Sequence, residues 1–291
     1  MIFPLSLIIV FGGTALSLYL TISNSVAWYF CILIALGTFL LTLGIFCLII
    51  MFLLVTLGHK LSKTYNPKGK FRWFFMTDVA RFSCFWLGVR IRAHGLEKLP
   101  KDTNFVIYSN HQSYLDMFIL YLVFKDYPHA TMYKKIIDTY PLASGMAKAL
   151  GGIPIDRDDD KEALKVILKI ISEVKKGLNF LVFPEGTRSK GLYMHKYKAG
   201  SFKISEKAMV PTVLVAIDGS YQKKMTIPFI RTPIYVNIVE VIDPSRYQEM
   251  NTQELASLAH DLVEADINKA RTTYRYLKPA KKYLNKNKWD D

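Results

Sequence analysis

Residues 105–118 read FVIYSNHQSYLDMF, an apolar run followed by a short polar interval and then by apolar sequence again. The first run is typical of a buried strand that ends near Tyr108, and the second run begins a helix near Tyr114. Because a strand that leads directly into a helix is the repeating unit of α/β proteins, this stretch predicts an α/β domain. It also places His111 and Asp116 at the junction between the two elements.

The alternation of strand and helix patterns continues from residue 96 onward. Apolar runs bounded by turn residues predict strands at Asn104–Tyr108, Ala130–Tyr133, Gly152–Ile155, Phe180–Phe183, Val210–Ile217 and Ile234–Val241. Helical periodicity predicts helices at Tyr114–Phe124, Leu142–Leu150, Lys161–Lys175, Ser201–Lys207 and Thr252–Lys269. We therefore predict one α/β domain at 96–250, followed by a C-terminal helix and a basic tail at 251–291.

Residues 1–58 form a different region, because they contain no charged side chain. Two apolar runs, Ile2 to Ile22 and Val26 to Leu57, are separated by the turn-forming residues Ser23-Asn24-Ser25. A membrane-spanning helix needs ~20 apolar residues, so this region predicts a membrane anchor of two helices. The alternative that both helices enter only one leaflet stays open.

The segment at 59–95 is basic and aromatic, and its first part carries Lys60, Lys63 and Lys68. Since positively charged flanks stay in the cytoplasm, we expect the N-terminus and the large domain to face the cytoplasm at a cell membrane or endomembrane. Residues 71–92 alternate bulky aromatic residues with arginines. This pattern favours an amphipathic element in the membrane interface over a core helix with a few exposed arginines.

The composition is strongly basic, with 38 Lys and Arg residues against 24 Asp and Glu and a formal net charge of +14. Such a surface indicates a negatively charged partner, either nucleic acid, anionic lipid or a phosphorylated substrate, or it serves solubility alone. A nucleic-acid partner is disfavoured because no nucleic-acid-binding motif is present and the N-terminal region is apolar. The three cysteines form no CxxC pair or Cys/His cluster, so neither a zinc site nor a disulfide framework is indicated.

The spacing of His111 and Asp116 decides how the two side chains can meet. On a regular helix a separation of five residues rotates side chains by ~500°, so the two would not share a face. They can meet only if His111 lies in the turn before the helix and Asp116 in the first helical turn. A carboxylate there would orient the imidazole of a general base and stabilise its protonated form. The alternative is structural, since Ser113-x-x-Asp116 also has the form of a capping box and His111 could be an ordinary loop residue.

Two other predicted strands also end in charged residues. The motif FPEGTRS presents Glu185, Gly186 and Arg188, in which the glycine lets the backbone approach a ligand closely and the arginine offers a planar fork for a phosphate. The motif GIPIDR ends in Arg157. Ligands of α/β domains lie at the carboxyl ends of strands, so these residues and His111 predict one shared site. Each arginine alone could equally be a surface charge.

Four sequence blocks over residues 75–245 resemble the ordered blocks of the glycerolipid acyltransferases, in particular the 1-acylglycerol-3-phosphate acyltransferases. The blocks are Asn110-His-Gln-Ser-Tyr-Leu-Asp116, Gly152-Ile-Pro-Ile-Asp-Arg157, Phe183-Pro-Glu-Gly-Thr-Arg-Ser189 and Val210-Pro-Thr-Val. The resemblance implies a mixed sheet with flanking helices. It also implies that His111 is the general base and that Asp116 is its partner.

The same resemblance implies a site for the phosphate of the acceptor. Arg157 and Arg188 would bind the phosphate, and Glu185 and Gly186 would shape the pocket. Lys135 falls where the family often has a lysine followed by Glu-Leu, but two isoleucines follow it here, so its assignment to the phosphate is weaker. The last block usually carries a second proline, which is a leucine in this chain.

The resemblance thus implies transfer of a fatty acyl group from acyl-CoA or an acyl-carrier protein to lysophosphatidic acid, which gives phosphatidic acid. We expect no cofactor and no metal, and membrane lipids as further partners. Two alternatives stay open. The acceptor could be another lysolipid, or the protein could be a non-catalytic membrane protein that binds anionic lipid through its basic surface.

Overall fold

The computed structural model describes residues 2–62, 69–149, 151–156, 159–223 and 231–279. The helices are α1 (Ile2–Ser23), α2 (Trp28–Ser62), α3 (Lys70–Trp86), α4 (Leu115–Val123), α5 (Pro141–Ala149), α6 (Asp160–Lys175), α7 (Lys203–Ala208) and α8 (Thr252–Thr273). The strands are β1 (Val89–His94), β2 (Val106–Ser109), β3 (His129–Lys134), β4 (Ile153–Ile155), β5 (Asn179–Val182), β6 (Thr212–Asp218) and β7 (Thr232–Ile242).

The strands form one sheet in the order β1-β7-β6-β2-β5-β3-β4. All neighbouring strands are parallel except β6 and β7, which are antiparallel, so the sheet is mixed as the family resemblance implied. Strands β2 to β6 run in the same direction, and their C-terminal ends therefore lie along one edge of the sheet. We call this edge, from Asp218 of β6 to Ile155 of β4, the carboxyl edge.

Helices cover both faces of the sheet, as right-handed crossovers between parallel strands require. The crossovers through α4 and α5 lead toward β4, whereas those through α6 and α7 lead back toward β6. The two pairs of helices must then lie on opposite faces. The packing agrees, because Ile119 of α4 packs with Ile107 of β2 on one face. On the other face Ile170 of α6 and Val263 of α8 pack with Val106.

Each predicted strand and helix of the α/β domain is present, with ends shifted by a few residues. Strand β1 was missed, because its alternating arginines continue the aromatic and basic pattern of α3. Gly88 separates the two elements, since its φ of 72° lets the chain turn out of the helix. Strand β1 then pairs with β7, with Ile91 opposite Ile234. The predicted domain boundary at residue 96 is therefore wrong, and the sheet begins at Val89.

Helix α3 occupies most of the segment for which we predicted an interfacial element. Ten of its residues are buried, including Arg72, and it packs against α1 and α4. In this respect α3 is a core helix, which the sequence analysis had considered the less favoured alternative. Phe71, Phe74 and Phe85 remain 64%, 50% and 45% exposed, so contact of that face with the membrane interface stays a prediction.

The two predicted N-terminal helices are confirmed as α1 and α2, and both are long and apolar enough to cross a membrane. Only 11% and 6% of their most apolar windows are buried, and so much exposed apolar surface indicates membrane association. Asp78 of α3 accepts hydrogen bonds from the amides of Ile2 and Phe3 at the start of α1. Trp86 Nε1 donates to Ser6 Oγ at 3.2 Å. These bonds attach the anchor to the domain.

The C-terminal helix α8 is part of the domain core rather than a separate appendage. Asn251 and Glu254 form a capping box at its start. Its apolar side packs on the sheet through Ala259, Val263 and Ile267. The predicted boundary between domain and C-terminal helix therefore does not separate two units, and the basic tail from residue 280 lies outside the described residues.

Candidate active site

The turn after β2 is held on both sides at the carboxyl edge, because β2 lies between β5 and β6 in the sheet. The Asn110 side chain donates to the carbonyl oxygen of Ile217 at 2.9 Å and accepts from the Ile217 amide at 2.8 Å. On the other side, the Ser189 amide donates to the carbonyl oxygen of His111 at 2.7 Å. The turn that carries His111 is therefore bonded to the elements on either side of it.

His111 and Asp116 are in contact, as they could be only with the histidine in the turn. His111 Nδ1 lies 2.8 Å from Asp116 Oδ2, and the imidazole ring stacks on Phe183 with centroids 4.0 Å apart. With the Nδ1 proton donated to the carboxylate, Nε2 carries the lone pair. No described residue hydrogen-bonds to Nε2, and 17% of the His111 side chain is exposed at the carboxyl edge. This geometry suits a general base.

Asp116 also caps the start of α4. Its Oδ2 accepts from the amides of Gln112 at 2.6 Å and Ser113 at 2.8 Å, besides the contact with His111. The sequence left catalysis and capping as alternatives, and one carboxylate oxygen makes both the contact with His111 and the reciprocal bond of a capping box to the Ser113 amide. The other half of the box is absent, because the Ser113 hydroxyl accepts from the amide of Leu115 rather than from that of Asp116. The Oδ1 atom of Asp116 is buried and accepts no hydrogen bond from the described residues.

Glu185 joins three segments of the site through its carboxylate. One oxygen accepts from the amide of His111 at 2.7 Å, and the other accepts from the amide of His195 at 2.8 Å. Burial raises the pKa of the Glu185 carboxyl to about 8, although the two amides lower it, and the charge of Asp116 raises it further. The predicted role of Glu185 in shaping the pocket fits these contacts, since the side chain supports the loops rather than facing solvent.

Arg188 lies beside the histidine turn and has unused hydrogen-bonding capacity. Gly186 has a φ of 78°, a conformation that glycine adopts without strain, and it turns the chain after β5. The Arg188 guanidinium then stacks over the exposed ring of Tyr114, with its Cζ 3.5 Å from the ring centroid. No described residue accepts a hydrogen bond from this guanidinium. Its N–H groups are available to an anion at the carboxyl edge.

The other two predicted phosphate ligands do not join this group in the described structure. Lys135, just after β3, donates to both carboxylate oxygens of Glu162 at 3.0 Å, and this partner raises the pKa of the ammonium. Arg157 lies outside the described residues. Both assignments stay predictions. Among the described residues no group of three or more His, Cys, Asp or Glu side chains is placed to hold a metal ion.

A buried network behind the histidine turn was missed in the sequence. Gln112 donates to Asp218 at 2.9 Å, and Arg271 of α8 donates to both carboxylate oxygens of Asp218 at 2.7 and 2.8 Å. Arg271 also donates to the carbonyl oxygen of Leu192 at 2.9 Å. The position of Asp218 at the end of an apolar strand was a signal that could have singled it out. No sequence signal links it to Arg271, because the pair forms only when α8 folds back.

Comparisons with known proteins show to which proteins the chain is similar. Residues 90–218 match the model of the Acyltransferase family. The chain is 31% identical over 184 residues to chloroplastic 1-acyl-sn-glycerol-3-phosphate acyltransferase BAT2 of Brassica napus, a match that covers 62% of this chain and 52% of that protein. It is 27% identical over 192 residues to the 1-acyl-sn-glycerol-3-phosphate acyltransferase of Haemophilus influenzae, covering 62% and 79% of the two chains.

The fold is similar to the crystal structure of the 1-acyl-sn-glycerophosphate (LPA) acyltransferase PlsC from Thermotoga maritima. The TM-score is 0.62 at 24% sequence identity, and the match covers 78% of this chain and 93% of that one. The chain spans about half the length of the plant relatives that it matches. The family match, the fold and the His111–Asp116 pair agree, and residues 90–218 of the chain are similar to the Acyltransferase family.

Proposed function

We propose that the protein is a 1-acyl-sn-glycerol-3-phosphate O-acyltransferase, which moves a fatty acyl group from a thioester to lysophosphatidic acid. One observation carries this proposal. The His111–Asp116 pair leaves Nε2 without a described hydrogen-bond partner, and beside the same turn no described residue accepts a hydrogen bond from the guanidinium of Arg188. A base and an anion-binding group at one edge suit an acceptor that has both a hydroxyl and a phosphate. The names of the relatives point the same way.

In the proposed reaction His111 Nε2 removes the proton of the acceptor hydroxyl as the oxygen attacks the thioester carbonyl. The new C–O bond forms a tetrahedral intermediate, which collapses when the C–S bond breaks. The protonated imidazole then returns its proton to the leaving thiolate, so that the products are an ester and a thiol. Asp116 holds Nδ1–H throughout and stabilises the imidazolium. No covalent acyl-enzyme is needed.

The acceptor phosphate would be held by more than one cation. A phosphate monoester carries about −1.5 to −2 charges near neutral pH, so a single guanidinium leaves it undercompensated. Arg188 supplies one planar fork, and we propose Arg157 as the second cation. Lys135 could contribute only after it leaves Glu162, with which it is paired. The donor would be acyl-CoA or an acyl-carrier protein.

We further propose that the domain faces the cytoplasm at the membrane that holds α1 and α2. The lysine-rich flank after the second apolar helix supports this orientation. The exposed rings of Tyr114 and Tyr140 lie on segments that follow β2 and β3 at the carboxyl edge. A site bordered by aromatic side chains would open toward the lipid that carries its acceptor.

An acceptor panel tests the proposal directly. Purified full-length protein in detergent would receive labelled acyl-CoA or acyl-carrier protein together with lysophosphatidic acid, several lysophospholipids with headgroups, or a lysolipid without phosphate. We expect phosphatidic acid as the main product, and no product with His111→Ala. His94→Ala, which changes an exposed histidine at the end of β1, serves as the matched control and should keep full activity.

Preference for a headgroup-bearing lysolipid would keep the enzyme class but refute the proposed acceptor. Absence of product with every acceptor and both donors, from protein shown to be folded, would favour the non-catalytic lipid-binding alternative.

A further inference from the structure

Helix α6 presents an outward face that carries charge of only one sign. Eight side chains between residues 161 and 176 are exposed, and they comprise a serine, two leucines and five lysines. The lysines are Lys161, Lys165, Lys169, Lys175 and Lys176. Leu164 and Leu168 are 58% and 57% exposed and lie one helical turn apart. The acids Glu162 and Glu173 are only partly exposed, at the margins. We call this surface the lysine–leucine face.

The face lies on the opposite side of the sheet from the membrane anchor. Helix α1 packs against α3, and α2 packs against α5. Helices α3 and α5 lie on the α4 side of the sheet, whereas the apolar side of α6 belongs to the core on the other side, with Ile170 and Val174. The lysine–leucine face therefore points away from α1 and α2. A soluble partner can reach it while the anchor stays in the bilayer.

The face begins at the same carboxyl edge as the candidate active site, with β5 and β3 lying between β2 and β4. Strand β4 ends there at Ile155, and Asp159 then caps the helix by accepting from the amides of Lys161 and Glu162 at 2.9 and 3.0 Å. The Lys135–Glu162 ion pair links the first turn of α6 to the segment that follows β3 at the same edge. A partner bound along α6 would therefore have one end at the same edge as the site.

We infer that the lysine–leucine face docks an acidic carrier protein that bears the acyl group as a thioester. This inference rests on the proposed function and specifies its donor. The five lysines complement an acidic surface, and the paired leucines offer an apolar contact at its centre. The exposed face extends for ~22 Å along the helix. From such a position a flexible arm would carry the thioester to His111.

Donor kinetics would test this inference with full-length protein in detergent. The same acyl chain would be supplied on coenzyme A and on an acyl-carrier protein, at a fixed concentration of lysophosphatidic acid. We expect Lys161→Glu/Lys165→Glu to lower kcat/KM for the carrier-bound donor by about tenfold or more and to change that for acyl-CoA by less than about twofold. Lys101→Glu/Lys125→Glu makes the same charge change at the opposite edge of the sheet and should leave both values unchanged.

Coenzyme A is itself anionic, so a second variant is needed to distinguish loss of docking from a general charge effect on the donor. Leu164→Ser/Leu168→Ser keeps every lysine, and we expect it to weaken only the carrier-bound donor. A loss shared equally by both donors would overturn the inference, and so would unchanged kinetics in both variants. An equal loss accompanied by weaker binding to vesicles that contain phosphatidylglycerol would assign the face to anionic lipid instead.

Direct binding distinguishes failure of this inference from failure of the proposed function. The carrier protein without an acyl group would be titrated against wild-type protein and the two variants, and fluorescence anisotropy would report the complex. We expect binding to wild type and to Lys101→Glu/Lys125→Glu, and its loss in both variants of the face. That result would support docking even if no acyl transfer is seen. Equal binding by wild type and both face variants would overturn docking whatever the turnover.

Discussion

The turn and the Nδ1 side of His111 are held by several hydrogen bonds, whereas the partly exposed guanidinium of Arg188 has no hydrogen-bond acceptor among the described residues. His111 is held by Asp116, by the amide of Ser189 and by Glu185, and its ring stacks on an aromatic side chain. Among the described residues, the Arg188 guanidinium contacts the exposed ring of Tyr114. The proposed base is thus positioned before substrate arrives. The proposed anion-binding group keeps its hydrogen-bonding capacity for the acceptor.

The largest expected effect is the loss of turnover in His111→Ala. General base catalysis typically contributes ~10²–10⁴-fold, and the rate constant for the chemical step should fall by at least that amount. Membrane association and the acceptor KM should be preserved, because the His111 backbone supplies the contacts to Ser189 and Glu185. Single-turnover kinetics would measure the change. Retention of half or more of the wild-type rate would remove His111 as the base.

Variants of Asp116 should separate its contact with His111 from its hydrogen bonds to the amides of the turn before α4. Asp116→Asn can keep one oxygen facing His111 and the two amides, so it loses mainly the negative charge. Asp116→Ala also leaves the buried amide of Gln112 and the partly buried amide of Ser113 without this acceptor, and the buried one alone costs ~1–3 kcal/mol. We expect both variants to lose turnover strongly, but only the alanine variant to lose much stability. Denaturant titration beside kinetics would separate the roles, and activity lost only in proportion to unfolded protein would leave capping as the sole function.

Substitution of Arg271 tests whether α8 supports the turn that carries His111. Asp218 is fully buried, and breaking one partner of a buried ion pair typically costs ~3–5 kcal/mol. We expect Arg271→Met to lower the free energy of unfolding and kcat, while the acceptor KM stays near that of wild type. Arg275→Met, at an exposed position just beyond α8, is the control. A changed acceptor KM with unchanged stability would instead assign Arg271 to acceptor binding.

Arg188 should affect acceptor binding rather than the chemical step. A hydrogen bond to a charged group contributes ~1.5–3 kcal/mol, so Arg188→Ala should raise the acceptor KM by at least about tenfold. Arg188→Lys keeps the charge but loses the planar fork, so its acceptor KM should lie between the values of wild type and Arg188→Ala. The donor KM should change little. The surface control is Arg246→Ala, which breaks an exposed ion pair with Glu240.

The surface-charge explanation makes a different prediction for the same variants. It requires small effects that high salt removes and that donor and acceptor share. An acceptor KM for Arg188→Ala within twofold of the wild-type value would contradict the proposed role of Arg188 in acceptor binding.

Glu185 should affect the pH dependence of stability, and it bears least on the comparison between His111 and Arg188. Its folded-state pKa of about 8 lies above the ordinary value of 4.5, so the folded protein holds this proton more tightly than the unfolded chain does. The resulting stability is complete below pH 4.5 and is lost as the pH rises toward 8. We expect the free energy of unfolding of wild type to fall more steeply across this window than that of Glu185→Gln. Parallel slopes in denaturant titrations would contradict the assignment.

The amino-acid sequence predicted the order of elements, the two N-terminal apolar helices and the one arrangement in which His111 and Asp116 can meet. These depend on local patterns: apolar periodicity, an uncharged region, and a spacing that permits contact only when the histidine precedes the helix. The same patterns gave a wrong prediction at β1, because a strand with exposed arginines was assigned to the interfacial segment. An edge strand has too little buried surface to impose a clear alternation on its sequence.

The tertiary structure alone decided how the site is supported and what surrounds it. The Asp218–Arg271 ion pair and the hydrogen bonds from two backbone amides to Glu185 join segments that are far apart in the chain. No local sequence pattern predicts such contacts. It also showed that Lys135 is engaged by Glu162 and that the lysines of α6 face away from the anchor. Sequence patterns report which side chains an element will bury. Which charges then meet is decided by how the chain folds back on itself.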